Sequence, residues 1–267
     1  MKFLSKCYIG LIFFLLYIPI VVLIVFSFNE SGSLAEFSGF SFMWYEELFH
    51  DEEAFSALRN SLVLAVSSAA IATVLGTFGA LGLHRMKRRY IKQPIMTLTN
   101  IPMMNPDIVT GVSMMLLFVA VATFLGTRDL FGFGTLLIAH VTFNLPYVIL
   151  NVMPKLAQMD RSLVDAAMDL GCTPLQSFFK VTLPEIMPGV AAGAIMAFTM
   201  SLDDFVISYF VTGMDFVTLP VEIYSYTKKP IPPKIYAMFT LLFLLILVLM
   251  VVMNLLQLRF DKKKQHS

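Results

Sequence analysis

Apolar residues fall into six long runs separated by short polar segments, at about 8–28, 62–83, 95–124, 134–152, 186–210 and 235–258. At about 1.5 Å of rise per residue, each run as a helix covers the roughly 30 Å of bilayer hydrocarbon. Hydrocarbon offers the backbone no hydrogen bonds, so the pattern predicts an all-α membrane protein with six transmembrane helices in a single domain, 1–267. Lys2 and Lys6 precede the first run, but no small-x-small cleavage site follows before Asn29, so the run reads as an uncleaved helix and not a signal peptide.

Between the fourth and fifth runs the period shortens. Over 158–184, Ser162 and Asp165 have the spacing of a capping box, and Leu163, Ala166, Ala167 and Leu170 recur at i, i+3, i+4 and i+7. Gly171 supplies a helix stop, after which Thr173, Pro174 and Gln176 stand as N-cap, N1 and N3 of a second helix with Leu175, Phe178 and Phe179 on one face. Pro184 is expected to close that helix. The pair is either an interfacial hairpin on lipid headgroups or a docking surface.

Two spans carry interruptions. Pro102 and Pro106 remove backbone donors in the third, which predicts a break near Asn105 and Asp107, and broken helices at membrane depth line cavities. Asp107 is either the N-cap of the restarted helix or part of a pathway. The fifth span holds Asp203 and Asp204. Each central Asp costs about 3 kcal/mol on insertion scales, against roughly 0.3 to 0.6 returned per large apolar residue, so this helix belongs inside a bundle. Ser201, Asp204 and Ser208 form one polar stripe, Thr199 lies one turn before Asp203, and Tyr209 follows. These acids either bond to another helix or face a water-filled path. Small residues at Gly189, Gly193 and Ala197, and at Gly76, Gly79, Ala80 and Gly82, mark edges for close helix packing. His140 and Asn144, one turn apart, are expected to bond a neighbouring helix. Tyr147, Tyr209, Tyr224 and Tyr226 read as interface anchors or cation-π faces.

Composition agrees with the bilayer as solvent: 58% of residues are hydrophobic and 14% charged, which excludes an ordinary soluble domain. The net charge of +1 hides an asymmetry. With the N-terminus inside, Lys2, Lys6, Arg85, Lys87, Arg88, Arg89, Lys92, Lys155, Arg161, Lys180, Arg259, Lys262, Lys263 and Lys264 are cytoplasmic, against Arg59, Arg128, Lys228, Lys229 and Lys234 outside. The first outer loop carries Glu30, Glu36, Glu46, Glu47, Asp51, Glu52 and Glu53, a solvated acidic face or one that concentrates a cation. Its Phe40, Phe42, Trp44, Tyr45, Leu48 and Phe49 suit a segment at the membrane interface. Cys7 and Cys172 lie on the reducing side without metal-ligand spacing, so neither a disulfide nor a metal is expected. Phosphate-binding motifs are missing from the sequence, so any ATP used is hydrolysed by another chain.

The string DAAMDLGCTPLQSFFKVTLP, 165–184, resembles the EAA loop of ABC importer permeases: Asp165, Ala166, Ala167, Gly171, Val181, Leu183 and Pro184 stand at the spacings of E-A-A-x-x-x-G, nine residues, I-x-L-P. Asp165 replaces the favoured Glu and Val181 the favoured Ile. The segments YIPIVVLIVFSFN, MMNPDIVTGVSMMLLF, HVTFNLPYVILNV, FTMSLDDFVISYFVTG and LPVEIYS extend the resemblance to the permease branch of spermidine/putrescine importers. The resemblance implies a type I importer fold in a bacterial inner membrane, with the seven loop residues coupling to an ATPase. It implies a homologous second permease chain, two cytoplasmic ATPase subunits holding ATP and magnesium, and a soluble outer binding protein. No cofactor bound by this chain and no nucleic acid partner are expected. Asp107, Asp203, Asp204, Ser201, Ser208 and Tyr209 would line the substrate pathway. Acids within the spans, where Lys and Arg do not occur, suit a polyvalent cation, although sister branches carry iron, sulfate and opines on the same frame. A secondary transporter using Asp203, Asp204, His140 and Asp107 as a proton relay is the rival class. An intramembrane enzyme is a poorer fit, because His140 has neither an HExxH nor a GxSxG setting.

Overall fold

The computed structural model describes residues 2–31, 36–127, 130–160, 162–227 and 233–265, with side chains except those of 2–5, 7, 249 and 252–265. Arg128, Arg161, Lys228 and Lys229, and the side chains of Lys2, Cys7, Arg259, Lys262, Lys263 and Lys264, therefore lie outside the described residues. In chain order the helices are α1 (Lys2–Phe26), α2 (Met43–Phe49), α3 (Glu52–Arg85), α4 (Arg89–Met104), α5 (Asp107–Leu125), α6 (Phe133–Gln158), α7 (Ser162–Asp169), α8 (Pro174–Ser177), a π turn (Phe178–Thr182), α9 (Leu183–Asp203), α10 (Val206–Val211), α11 (Leu219–Thr227) and α12 (Lys234–Gln265). Among the described residues, extended pairing is limited to two isolated bridges, Asn29 with Phe40 and Gly213 with Phe216. Five stretches are long and apolar enough to cross a bilayer: Tyr8–Phe26, Glu52–Arg85, Asp107–Leu125, Phe133–Gln158 and Pro174–Asp203. Lys234–Val248 is a shorter apolar helix of the same kind.

Contacts group the chain, expected as one domain, into two compact units: Met1–Ser56 with Glu222–Asn254, and Ala57–Val221 with Leu255–Ser267. In the first, the aromatic loop folds on itself. Phe28 stacks on Phe40 at 5.0 Å and meets Tyr45 at 5.1 Å, while the Trp44 indole N–H donates to the Asn29 carbonyl at 2.7 Å. The rings thus bury their polar handles locally. Nearby, Lys234 Nζ lies 2.8 Å from Asp51 and 3.9 Å from Glu47. Burial opposes the Asp51 charge, but the hydrogen bond and charge of Lys234 and the N–H groups of Ala54 and Glu53 outweigh it and hold its pKa below the usual carboxylate value. The stability gained is complete above the unfolded value of about 3.9 and drains away as pH falls through the lowered one. A Lys234→Met variant is expected to melt about 2–4 °C below wild type at neutral pH, with the gap closing under pH 4. Equal melting temperatures at pH 7 would show that the pair contributes nothing.

In the second unit, α6 is the central packing partner. Val148, fully buried, sits between two small-residue edges: a Cβ on Gly76 of α3 would meet its side chain at 2.7 Å, and one on Gly193 of α9 would meet its Cα at 3.1 Å. Around it Ala69, Ala72, Ala80, Val152, Ile186 and Ala197 complete a core in which small residues let three helices approach. A second cluster joins α5, α6 and α10 through Phe118, Ala139, Phe143, Ile207 and Val211.

The third and fifth apolar runs are each two helices. The first break falls where the prolines place it: Asn105 is extended, with ψ 141, because a residue preceding proline is pushed out of the helical region. Pro102, by contrast, lies inside α4 without ending it. Asp107 is the first residue of α5 and not its cap; the N-cap is Pro106, with no side-chain hydrogen bond, and the Asp107 charge lies in the first turn, where it complements the helix dipole. The second break, at Asp204 and Phe205, has no proline and no counterpart in the hydrophobic pattern.

Candidate coupling segment and translocation path

The segment between α6 and α9 is built from local signals. Its first helix opens differently from the Ser162/Asp165 box: Ser162 is already helical, and the Asp160 carboxylate accepts its N–H at 3.0 Å. That bond holds the Asp160 pKa below the usual carboxylate value. α7 ends as expected, with Gly171 at φ 89. The Cys172 N–H returns to the Ala167 carbonyl and the Gly171 N–H to the Met168 carbonyl, the paired bonds of a Schellman stop. α8 opens with the reciprocal box the sequence predicts, Gln176 N–H to Thr173 Oγ1 at 3.3 Å and Thr173 N–H to Gln176 Oε1 at 3.0 Å.

Pro184 does not close α8. The backbone stays helical through Phe178–Thr182 as a π turn, with the Leu183 N–H bonding back to the Phe178 carbonyl, and Pro184 falls in the first turn of α9. A proline without N–H and with a ring crowding the preceding turn is accommodated by that looser i→i+5 closure. Phe178 is buried and stacks on Phe78 of α3 at 5.8 Å, which pins the segment to the unit.

Of the seven loop residues, Ala167 is buried, Val181 and Leu183 are half-buried, and Asp165, Ala166, Gly171 and Pro184 are exposed. Leu163, Met168, Leu170, Leu175 and Phe179 are exposed too, Leu170 to 87%. The predicted apolar stripe of α7 therefore turns only Ala167 inward. Asp165 opens on a cleft of about 630 Å³ whose other wall carries His84, Arg85, Lys87 and Lys92.

Within the spans, the stripe of Ser201, Asp204 and Ser208 meets His140. Nδ1 lies 2.7 Å from Ser201 Oγ and Nε2 3.1 Å from Ser208 Oγ, with Asp204 Oδ2 3.5 Å from Nε2. Asp204 also accepts the Ile207 and Ser208 N–H groups at 3.2 and 2.8 Å, capping α10. The expected bond from His140 to a neighbouring helix is present, while both polar atoms of the buried Asn144 amide lack a hydrogen-bond partner among the described residues. Asp203 behaves oppositely to its neighbour. It is exposed at the end of α9, and Tyr209 is exposed on α10, its ring 5.4 Å from Phe205. Asp107 is also exposed, at the start of α5. The six pathway candidates thus divide: Ser201, Ser208 and Asp204 turn into the protein, and Asp203, Tyr209 and Asp107 turn out of it. The sequence predicts that His140 bonds a neighbouring helix without naming its partners; the seven-residue spacing of Ser201 and Ser208 is the signal that one side chain can join both. Tyr147 packs on Phe143 at 5.5 Å. Among the described residues, no His, Cys, Asp and Glu cluster has metal-site geometry.

Residues 72–266 match the family model described as binding-protein-dependent transport system inner membrane component. The chain is 41% identical over 230 residues to the putrescine transport system permease protein PotI of Escherichia coli K12, covering 86% of this chain and 82% of that one. It is 38% identical over 240 residues to the spermidine/putrescine transport system permease protein PotC of Haemophilus influenzae, covering 90% and 91%. In fold it is similar to a bacterial ABC transporter involved in import of the acidic polysaccharide alginate, with a TM-score of 0.76 and 15% identity over 97% of this chain and 95% of that one. The chain belongs to the family of binding-protein-dependent transport system inner membrane components.

Proposed function

We propose that this chain is the membrane-spanning permease subunit of an ATP-driven importer for polyamines, spermidine and putrescine. The observation that carries the substrate is the likeness, over more than four fifths of each chain, to permeases named for putrescine and for spermidine/putrescine transport. The chemistry agrees with it: Asp203 presents a carboxylate at a helix break within an apolar span, where an ammonium group would offset its desolvation.

The partners are a homologous second permease, two cytoplasmic ATPase subunits that bind ATP and magnesium, and an outer binding protein. The exposed apolar residues of α7 and α8, backed by the buried Phe178, form the surface that enters a groove of the ATPase. Closure of the ATPase dimer displaces this rigid pair, the π turn passes the displacement to α9, and the path opens outward beside Asp203. The amine released by the binding protein then exchanges water for Asp203, with Asp107 and Tyr209 as further contacts.

Uptake of labelled spermidine and putrescine into proteoliposomes containing all four components, with and without ATP on the ATPase side, tests this. ATP-dependent uptake competed by unlabelled polyamine, and not by iron or sulfate, is the expected result. Uptake without the ATPase that collapses with an ionophore would replace the importer with a secondary transporter. In the same assay Asp203→Asn is expected to reduce uptake efficiency by about tenfold, the worth of one charge-assisted hydrogen bond, with assembly unchanged. Unaltered kinetics would remove Asp203 from the path.

A further inference from the structure

The fifth apolar run breaks between α9 and α10, and one imidazole spans the break. His140, fully buried on α6, reaches Ser201 in the last turn of α9 and Ser208 on α10, with Asp204 at the break itself 3.5 Å from Nε2. Ser68 on α3 donates to Ser201 at 2.9 Å. These distances accommodate an order of protons that runs Ser68 O–H to Ser201, Ser201 O–H to Nδ1, and Nε2–H toward Ser208 and the Asp204 carboxylate, the tautomer being set by Asp204 as an obligate acceptor beside Nε2. A neutral imidazole accepts at one end and donates at the other, and here those ends belong to the two halves of a broken helix. Ser201, His140 and Asp204 are the residue types of a hydrolase triad, yet Ser201 is 4% exposed, so its hydroxyl is not placed to meet a substrate.

We propose that His140 is a positioning residue for translocation: by tying Ser201 to Ser208 across the break, it fixes the angle between α9 and α10. It thereby fixes where Asp203 and Tyr209, exposed on either side of that break, stand along the path. An unbroken helix would hold these positions by its own hydrogen-bond ladder. Here Asp204 is extended, with ψ 116, so the ladder is interrupted and geometry across the gap passes to side chains. Asp204 caps the outer half, Ser68 steadies the inner half, and the His140 imidazole bonds both. The inference rests on the transport reading above, and its test has a readout that does not need transport.

With Cys7 and Cys172 replaced by Ser, Asp203→Cys provides a thiol at the break, and the rate of its labelling by a cationic methanethiosulfonate reagent reports where position 203 stands in the assembled complex. Adding His140→Leu, close in volume but without polar atoms, is expected to change that rate by about tenfold. In the chain that keeps Asp203, the same substitution is expected to raise the KM for spermidine by a similar factor. His140→Gln, which can still accept and donate, should restore both to within about threefold. An assembled His140→Leu complex labelled at the parent rate overturns the proposal. If that variant fails to assemble, Ser208→Ala cuts only the outer tie and is read the same way, an unchanged rate again overturning it. Absence of polyamine uptake by the parent complex would overturn the substrate reading alone, leaving the labelling result to decide the clamp.

Discussion

Gly171→Val is expected to abolish substrate uptake and substrate-stimulated ATP hydrolysis while the permease still accumulates and assembles. Gly171 ends α7 at φ 89, and a Cβ placed there would meet nothing within 4 Å. The cost of a side chain is therefore purely conformational, about 1–2 kcal/mol for an ordinary residue in the left-handed region and more for a β-branched one. That strain is relieved by breaking the two bonds, Cys172 to Ala167 and Gly171 to Met168, that set the angle between α7 and α8. The core around Val148 is untouched, so assembly survives. Gly171→Asn supplies the control, since asparagine tolerates the left-handed region, and should keep most of the activity. Normal uptake by the Val variant would sink the assignment of this segment as the coupling element.

Gly189→Leu should have the opposite phenotype, loss of the protein from the membrane. A Cβ at Gly189 would lie 2.7 Å from the Asn151 carbonyl oxygen and 2.7 Å from Lys155 Cγ, and the carbonyl belongs to the α6 backbone and cannot yield. Overpacking of this kind typically costs about 1–3 kcal/mol, so Gly189→Ala is expected to lower the melting temperature of the purified complex measurably and Leu to prevent its accumulation. Gly82, where a Cβ would meet nothing within 4 Å, is the internal comparison. Gly82→Ala should be neutral or slightly stabilising through helix propensity. If Gly189→Leu accumulates like wild type, the α6–α9 seam is not what holds the second unit together.

These two glycines also show what the sequence could and could not reveal. The helix stop at Gly171, the Thr173/Gln176 box, the small edge at Gly189 and Gly193, and the break at Asn105 all depend on residues within a turn or two of one another. The break at Asp204 does not. The apolar run continues through it, and the imidazole that stabilises it lies 61 positions before Ser201 on another helix. The two adjacent acids, of which only Asp204 shares the stripe of Ser201 and Ser208, have opposite fates: Asp204 is consumed by backbone N–H groups and His140, and Asp203 is left facing outward. Asp160, which accepts the Ser162 N–H at the start of α7, has a weaker signature than Ser162 and Asp165, whose spacing is that of a capping box. Pro184 reads as a stop because proline normally is one, and a π turn has no sequence signature that separates it from a helix end.

That turn has a geometric consequence. In an α-helix each residue advances about 100° around the axis, so a turn closed over one additional residue rotates everything downstream by roughly that angle. Thr182 and Leu183 remain helical, so the rod from Pro174 to Asp203 is continuous but its two ends are out of phase. Torsion applied at the cytoplasmic end has no slack loop in which to dissipate. The azimuth of the outward-facing surface and that of the core-facing seam of α9 are nonetheless set separately. Residues such as Leu175 and Phe179 can drift in evolution to follow a changing neighbour without turning Gly189 and Gly193 away from α6.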